Sequence, residues 1–161
     1  EKSEFITEKI NVGDISVDDY ISTDNMLPNI NGVVQSSNLP NSKTVTKYDK
    51  DDILISNIRP YFKKIWMATK SGGCSTDVLV LRARNGCNPT FLYYVLANNS
   101  FFDYVMLGAK GTKMPRGDKK HILDFKFILP TLTEQQKIVD VLKSFDRKID
   151  INKQINNNLV A

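Results

Sequence analysis

The sequence predicts an α/β body, built on an α+β-like mixed sheet and followed by one long C-terminal helix of coiled-coil type. Three observations carry that reading: short β-type runs bounded by turn residues between positions 43 and 82, helical spacing of apolar residues after Pro89, and an unbroken helical period from 133 to 159. The chain has 161 residues, 41% of them apolar and 25% charged, which is ordinary globular composition. A body of this size buries roughly 70% of the surface its unfolded chain exposes, so its core needs neither disulfides nor metal. The predicted division is a body over 1–131 and a helix over 132–161.

Residues 43–48 (Lys-Thr-Val-Thr-Lys-Tyr) read as a strand, and Asp49-Lys50-Asp51-Asp52 as the turn after it. A second strand over 53–58 stops at Arg59-Pro60, where proline removes a ladder donor. A third covers 77–82. Asn88 can cap a helix that has Pro89 at its first position and runs to about Ala97, with Phe91, Leu92, Val95 and Leu96 on one face. Phe101, Phe102, Val105 and Met106 extend the helical pattern; their spacing favours a core face over a base-stacking platform. Residues 108–117 are too glycine-rich and basic for a regular element and read as an exposed loop. Asp118 caps a short helix through Ile122 and Leu123, and a strand over 125–129 ends at Pro130. Thr133 with Gln136 forms a capping-box pattern opening the last helix, about 40 Å long. Read as heptads, Ile138, Leu142, Phe145, Ile149, Asn152, Asn156 and Leu159 form one seam, apolar at first and then carrying two asparagines that would fix register in a pair of helices. Fraying beyond Ile151 into a solvated tail fits the same periodicity.

Charge is unevenly spread: residues 1–57 hold five Lys/Arg against ten Asp/Glu, and residues 58–161 hold seventeen against eight. A basic half with interleaved aromatics is the electrostatic footprint of a phosphate-backbone binder, although a solvated lysine surface has the same composition. No apolar run approaches the roughly 18 residues of a membrane span, and no signal-peptide pattern opens the chain, so the expected location is cytoplasmic. A first residue other than methionine is consistent with a piece of a longer protein.

Catalytic constellations are missing. The single histidine, His121, lies in the basic run Lys119-Lys120-His121 and suits a cap or surface role. Cys74 and Cys87 are not spaced as ligands, and no metal site is expected. Neither a P-loop nor a glycine-rich dinucleotide turn occurs. Gly72-Gly73-Cys74-Ser75 fits an anion cradle and equally a tight turn into the next strand. Asn57-Ile58-Arg59-Pro60-Tyr61 is similar to the Asn-Pro-Pro-Tyr loop of adenine methyltransferases but lacks its first proline. What remains are residue types that read DNA, since arginine and lysine pair with guanine edges, asparagine with adenine, and lysines and hydroxyls hold phosphates. They concentrate in two segments: Asn57, Arg59, Tyr61, Lys63 and Lys64 at a strand end, and Lys110, Thr112, Lys113 and Arg116 in the glycine-rich loop. A solvated basic turn is the plain alternative for each.

The stretch Ile128-Leu129-Pro130-Thr131-Leu132-Thr133-Glu134-Gln135-Gln136-Lys137-Ile138-Val139, followed by Leu142, Phe145, Asp146, Ile149, Asn152, Ile155 and Asn156, resembles the conserved region of type I restriction-modification specificity subunits. Upstream blocks resemble that family's target recognition domains: residues 20–28, residues 52–61, and Gly111-Thr112-Lys113-Met114-Pro115-Arg116-Gly117-Asp118. The resemblance implies a DNA-sequence reader without enzymatic activity. It would recognise one half of a bipartite double-stranded site and position a modification subunit that methylates adenine, with a restriction subunit as a further partner. S-adenosylmethionine would be bound by that methyltransferase, leaving this chain without a cofactor. One recognition domain and one helix, where a complete subunit has two of each, imply either a half subunit that homodimerises through the helix or a fragment of a longer one. The alternative from another class is an interaction module that recruits partners through the helix and never touches DNA.

Overall fold

The computed structural model describes residues 2–159, with side chains to position 158. Strands β1 (Ser3–Phe5), β8 (Val78–Ala83), β5 (Ile53–Ser56) and β6 (Ile65–Met67) form an antiparallel sheet in that order. A second sheet runs β2 (Lys9–Asn11), β4 (Thr44–Tyr48), β7 (Gly72–Cys74) and β3 (Tyr20–Ile21), with only the β3–β7 pair parallel. Helices α1 (Pro89–Leu96), α2 (Asn99–Leu107) and α3 (Lys119–Leu123) precede the long α4 (Leu132–Leu159).

The layers follow from side-chain alternation. On β5 and β8, Ile53, Ile55, Leu79 and Leu81 face a core with Phe91, Leu92, Phe101, Phe102 and Val105 of the helices. Between them, Leu54, Val78 and Val80 face the other way, against Ile21, Tyr48 and Cys74 of the second sheet. Helices, first sheet and second sheet are thus three layers with two cores. Covering both faces explains why the central strand reads as a continuous apolar run. The Asp49–Asp52 turn is tied to this centre: Arg82 binds Asp52 through two 2.7 Å contacts and Asp49 through a third, and Asp52 is 1% exposed.

The three expected strands and the Asn88-capped helix form, with the Asn88 side chain accepting from the Thr90 and Phe91 amides. Asp118 caps α3 in the same manner. Four details differ from the sequence reading. Residues Gly72–Cys74, read as a tight turn or an anion cradle, form the buried strand β7. Strand β5 stops at Ser56, because Asn57 turns its amide to the Asp77 carbonyl at 2.8 Å. Residues 125–129 form no strand: Phe125, Phe127 and Leu129 pack on the core and Ile128 is 88% exposed, but no neighbouring backbone supplies a ladder. The α4 capping box is Thr131 with Glu134, two residues before the expected pair; Glu134 accepts from the Thr131 amide at 2.9 Å and its hydroxyl at 2.7 Å.

The predicted seam is mostly exposed along α4. Ile138, Phe145 and Ile149 are exposed, Asn152 and Asn156 are exposed, Leu142 is half-buried, and the Leu159 side chain lies outside the described residues. The helix remains continuous through the asparagines.

Candidate nucleic-acid interface

The two basic segments, distant in sequence, lie side by side. The Gly117 amide donates to the Asn57 carbonyl at 3.1 Å and the Arg59 amide to the Pro115 carbonyl at 2.8 Å, while Ile58 bridges Arg116. Arg116 and Lys110 exchange backbone hydrogen bonds of 2.9 Å each way, closing the loop on itself. Position 117 is tightly packed: a Cβ there would stand 2.9 Å from Asn57 Oδ1 and 3.1 Å from Ile122 and Val105 side-chain carbons, so these side chains would have to shift.

A tight turn at Pro60–Phe62 presents the first segment, flanked by Arg59 (φ 49°) and Lys63 (φ 52°), both left-handed. Two more left-handed residues support it from behind: the Asn29 amide (φ 56°) donates to the Phe62 carbonyl at 2.8 Å and that of Ile30 (φ 62°) to the Lys63 carbonyl at 3.0 Å. Backbone strain in non-glycine residues persists only where surrounding structure enforces it, and it gathers at functional sites. Here four such residues meet at one turn.

The side chains divide into tethered and uncommitted. Arg116 pairs with Asp77 at 3.0 Å and Lys110 with Asp118 at 2.7 Å. Lys63 donates to Asn99 Oδ1 at 2.7 Å; Lys64 donates to the Thr23 carbonyl at 2.6 Å and lies 5.8 Å from the Phe62 ring centre. Among the described residues, the Arg59 guanidinium and Lys113 ammonium have no hydrogen-bond or ion-pair partner, and both are exposed. Thr112 is exposed, and Tyr61 is 46% exposed with its ring 4.7 Å from that of Phe62. Asn57 differs from the rest, since its side-chain oxygen is buried and lacks a hydrogen-bond partner. The Lys110 ammonium, then the amides of His121 and Lys120, pull the Asp118 carboxyl down to about 2, so this loop anchor is ionised at neutral pH.

Asn29, Ile30 and Asn99 carry no residue-type signal in the sequence that marks their supporting role. Pro28-Asn29 and Asn31-Gly32 are turn dipeptides that could have flagged the supporting loop. No group of three or more His, Cys, Asp or Glu that could hold a metal exists among the described residues. His121 stacks on Tyr104 at 4.0 Å and donates to the Tyr104 carbonyl at 2.8 Å, a packing role. Burial pushes the Cys74 thiol up to about 12. Among the described residues no helix is long and apolar enough to cross a membrane.

A family model described as the type I restriction modification DNA specificity domain matches residues 1–161. The chain is 32% identical over 108 residues to the type I restriction enzyme EcoDI specificity subunit of Escherichia coli, covering 66% of this chain and 24% of that one. It is 29% identical over 116 residues to the HindI specificity subunit of Haemophilus influenzae, covering 68% and 25%. It spans about a quarter of the length of these curated relatives. In fold it is similar to the HsdS subunit from Thermoanaerobacter tengcongensis, with a TM-score of 0.64 and 19% identity, covering 92% of this chain and 44% of that one. A type I S subunit from M. genitalium gives a TM-score of 0.56 at 17% identity, covering 89% and 40%.

Proposed function

The chain belongs to the type I restriction-modification DNA specificity family, and from that premise we propose that it reads one half of a bipartite double-stranded DNA site and holds an adenine-methylating modification subunit there. The body over 1–131 does the reading, and the segment over 132–161, which carries α4, joins the chain to its partners. The observation that carries the reading is the convergence of both basic segments on one strained, exposed turn, with Arg59 and Lys113 uncommitted. Uncommitted cations can neutralise phosphates or reach base edges without first breaking a contact. The tethered Lys110 and Arg116 are held in place by Asp118 and Asp77 and flank the same surface. On this reading the chain supplies recognition and no catalysis, and S-adenosylmethionine belongs to the modification subunit.

The outward seam of Ile138, Phe145 and Ile149 supports pairing with a second α4-type helix, from another copy or from the other half of a longer subunit. A restriction subunit would join the same assembly. The test is co-expression with a type I modification subunit followed by mapping of N6-methyladenine in host DNA. A bipartite motif that disappears with Arg59→Ala is the expected result. A complex that forms without methylating any motif would overturn the reading and leave an interaction module.

A further inference from the structure

Helix α4 is fixed to the body at two places. At its root Gln135 is fully buried, and its amide joins three segments: Oε1 accepts from the Asn88 amide at 2.7 Å, while Nε2 donates to the carbonyls of Pro130 at 2.8 Å and Gly86 at 3.0 Å. One turn on, Val139 is 1% exposed in the helical core. The second attachment is eleven residues beyond Gln135, where the Tyr94 hydroxyl of α1 donates to Asp146 Oδ2 at 2.5 Å. The two points are about 16 Å apart along the helix axis.

From these contacts we infer that Gln135 and the Tyr94–Asp146 pair are positioning residues that set the direction of α4 against the DNA-reading face, and through it the spacing at which half-sites are accepted. The inference rests on the reading of the chain as a DNA-reading half joined to its partner by α4. One attachment would leave the helix free to swing. A swing of about 5° about Gln135 moves the far end of α4, about 36 Å away, by about 3 Å, close to the ~3.4 Å rise of one base pair. A second contact three turns along removes that freedom. An apolar residue at 135 could fill the same volume, but an amide offers one acceptor and two donors in a fixed plane and so specifies an orientation.

The test has two readouts. Nitroxides placed by K50C and Q154C, both exposed and the latter opposite the seam, report the body-to-helix distance in protein diluted with unlabelled chain. A narrow distribution is expected for the parent. It should broaden in Y94F and D146A, recover in D146N, which keeps an acceptor for the hydroxyl, and broaden most in Q135A. In the co-expressed complex, Y94F and D146A should methylate sites whose spacer differs by one base pair from the parent's, with half-site sequences unchanged. The Tyr94 and Asp146 variants decide the matter if Q135A does not fold. Distributions that stay narrow in Y94F and D146A overturn the joint. Broadening with an unchanged single spacing overturns its role in spacing. A parent complex that methylates no motif removes the DNA reading and the spacing role with it, while the distance data still report on the joint.

Discussion

Arg59 holds a left-handed backbone that costs a non-glycine residue about 1–2 kcal/mol, and it does so with its side chain exposed and without a partner among the described residues. Stability and recognition should therefore separate at this position. Arg59→Gly is expected to raise the melting temperature while weakening DNA binding, and Arg59→Ala to lower affinity for the specific site by about 1–3 kcal/mol if the guanidinium reads a base. Lys113→Ala should instead weaken all sequences alike and reduce the salt slope by about one; anisotropy titrations on specific and random duplexes distinguish the two. Acid should act through Asp118 and Glu134. The Thr131 hydroxyl and amide lower the Glu134 carboxyl, as Lys110 and the α3 amides lower that of Asp118 to about 2. Depressed folded-state values mean a contribution present above the unfolded values and lost as pH falls through the folded ones. For Asp118 that window runs from the ordinary 3.8 down to about 2, and Asp118→Asn should flatten the melting-temperature profile there. The two basic segments of the candidate site, which the fold brings together, could be picked out because charge and turn chemistry are residue-type signals. Asn29 and Ile30 were not, since they act through backbone amides that any residue carries. Nor could composition show that Asn57 turns its oxygen inward.

Among the elements, β5 and its neighbour β8 bind the two cores together. Arg82→Ala on β8 would leave the Asp52 carboxylate buried without its partner, and a loss of about 3–5 kcal/mol in chemical denaturation is expected. Phe101→Ala on α2, fully buried between Phe102 and Phe125, should cost a similar 3–5 kcal/mol by opening a cavity. Most elements were readable because local pattern and tertiary demand agree, as at Asn88-Pro89 and at Asp118. Where they failed, the deciding information was non-local. Thr131/Glu134 and Thr133/Gln136 both fit a helix start, and the choice falls to the first pair in a helix whose Gln135 reaches Gly86 and Asn88 across the fold. The alternation over 125–129 has the period of a strand, yet hydrogen bonding needs a neighbour that the topology does not provide.

Across the whole molecule, part of the acidity of the first third is neutralised internally: Glu8 and Asp49 pair with Lys47, Asp19 with Lys70, and Asp49 and Asp52 with Arg82. The later, basic part keeps exposed, unpaired cations at Arg59 and Lys113 among the described residues. Binding to any duplex should fall with salt at a slope of about −0.9 per phosphate neutralised. In sedimentation the chain is expected near twice its 18.3 kDa, and a version ending at Asp146, which keeps both attachments of α4, near the monomer. A truncated form that still pairs would place the contact on the body or on the retained part of the seam over 138–145. The sheets also limit how partners can be met. Their four outer strands, β1, β6, β2 and β3, are three, three, three and two residues long. An incoming strand would find one or two free hydrogen bonds on any of these rims, too few to displace water. The molecule is thereby shielded from edge-to-edge aggregation, and its associations are left to side chains and helix faces.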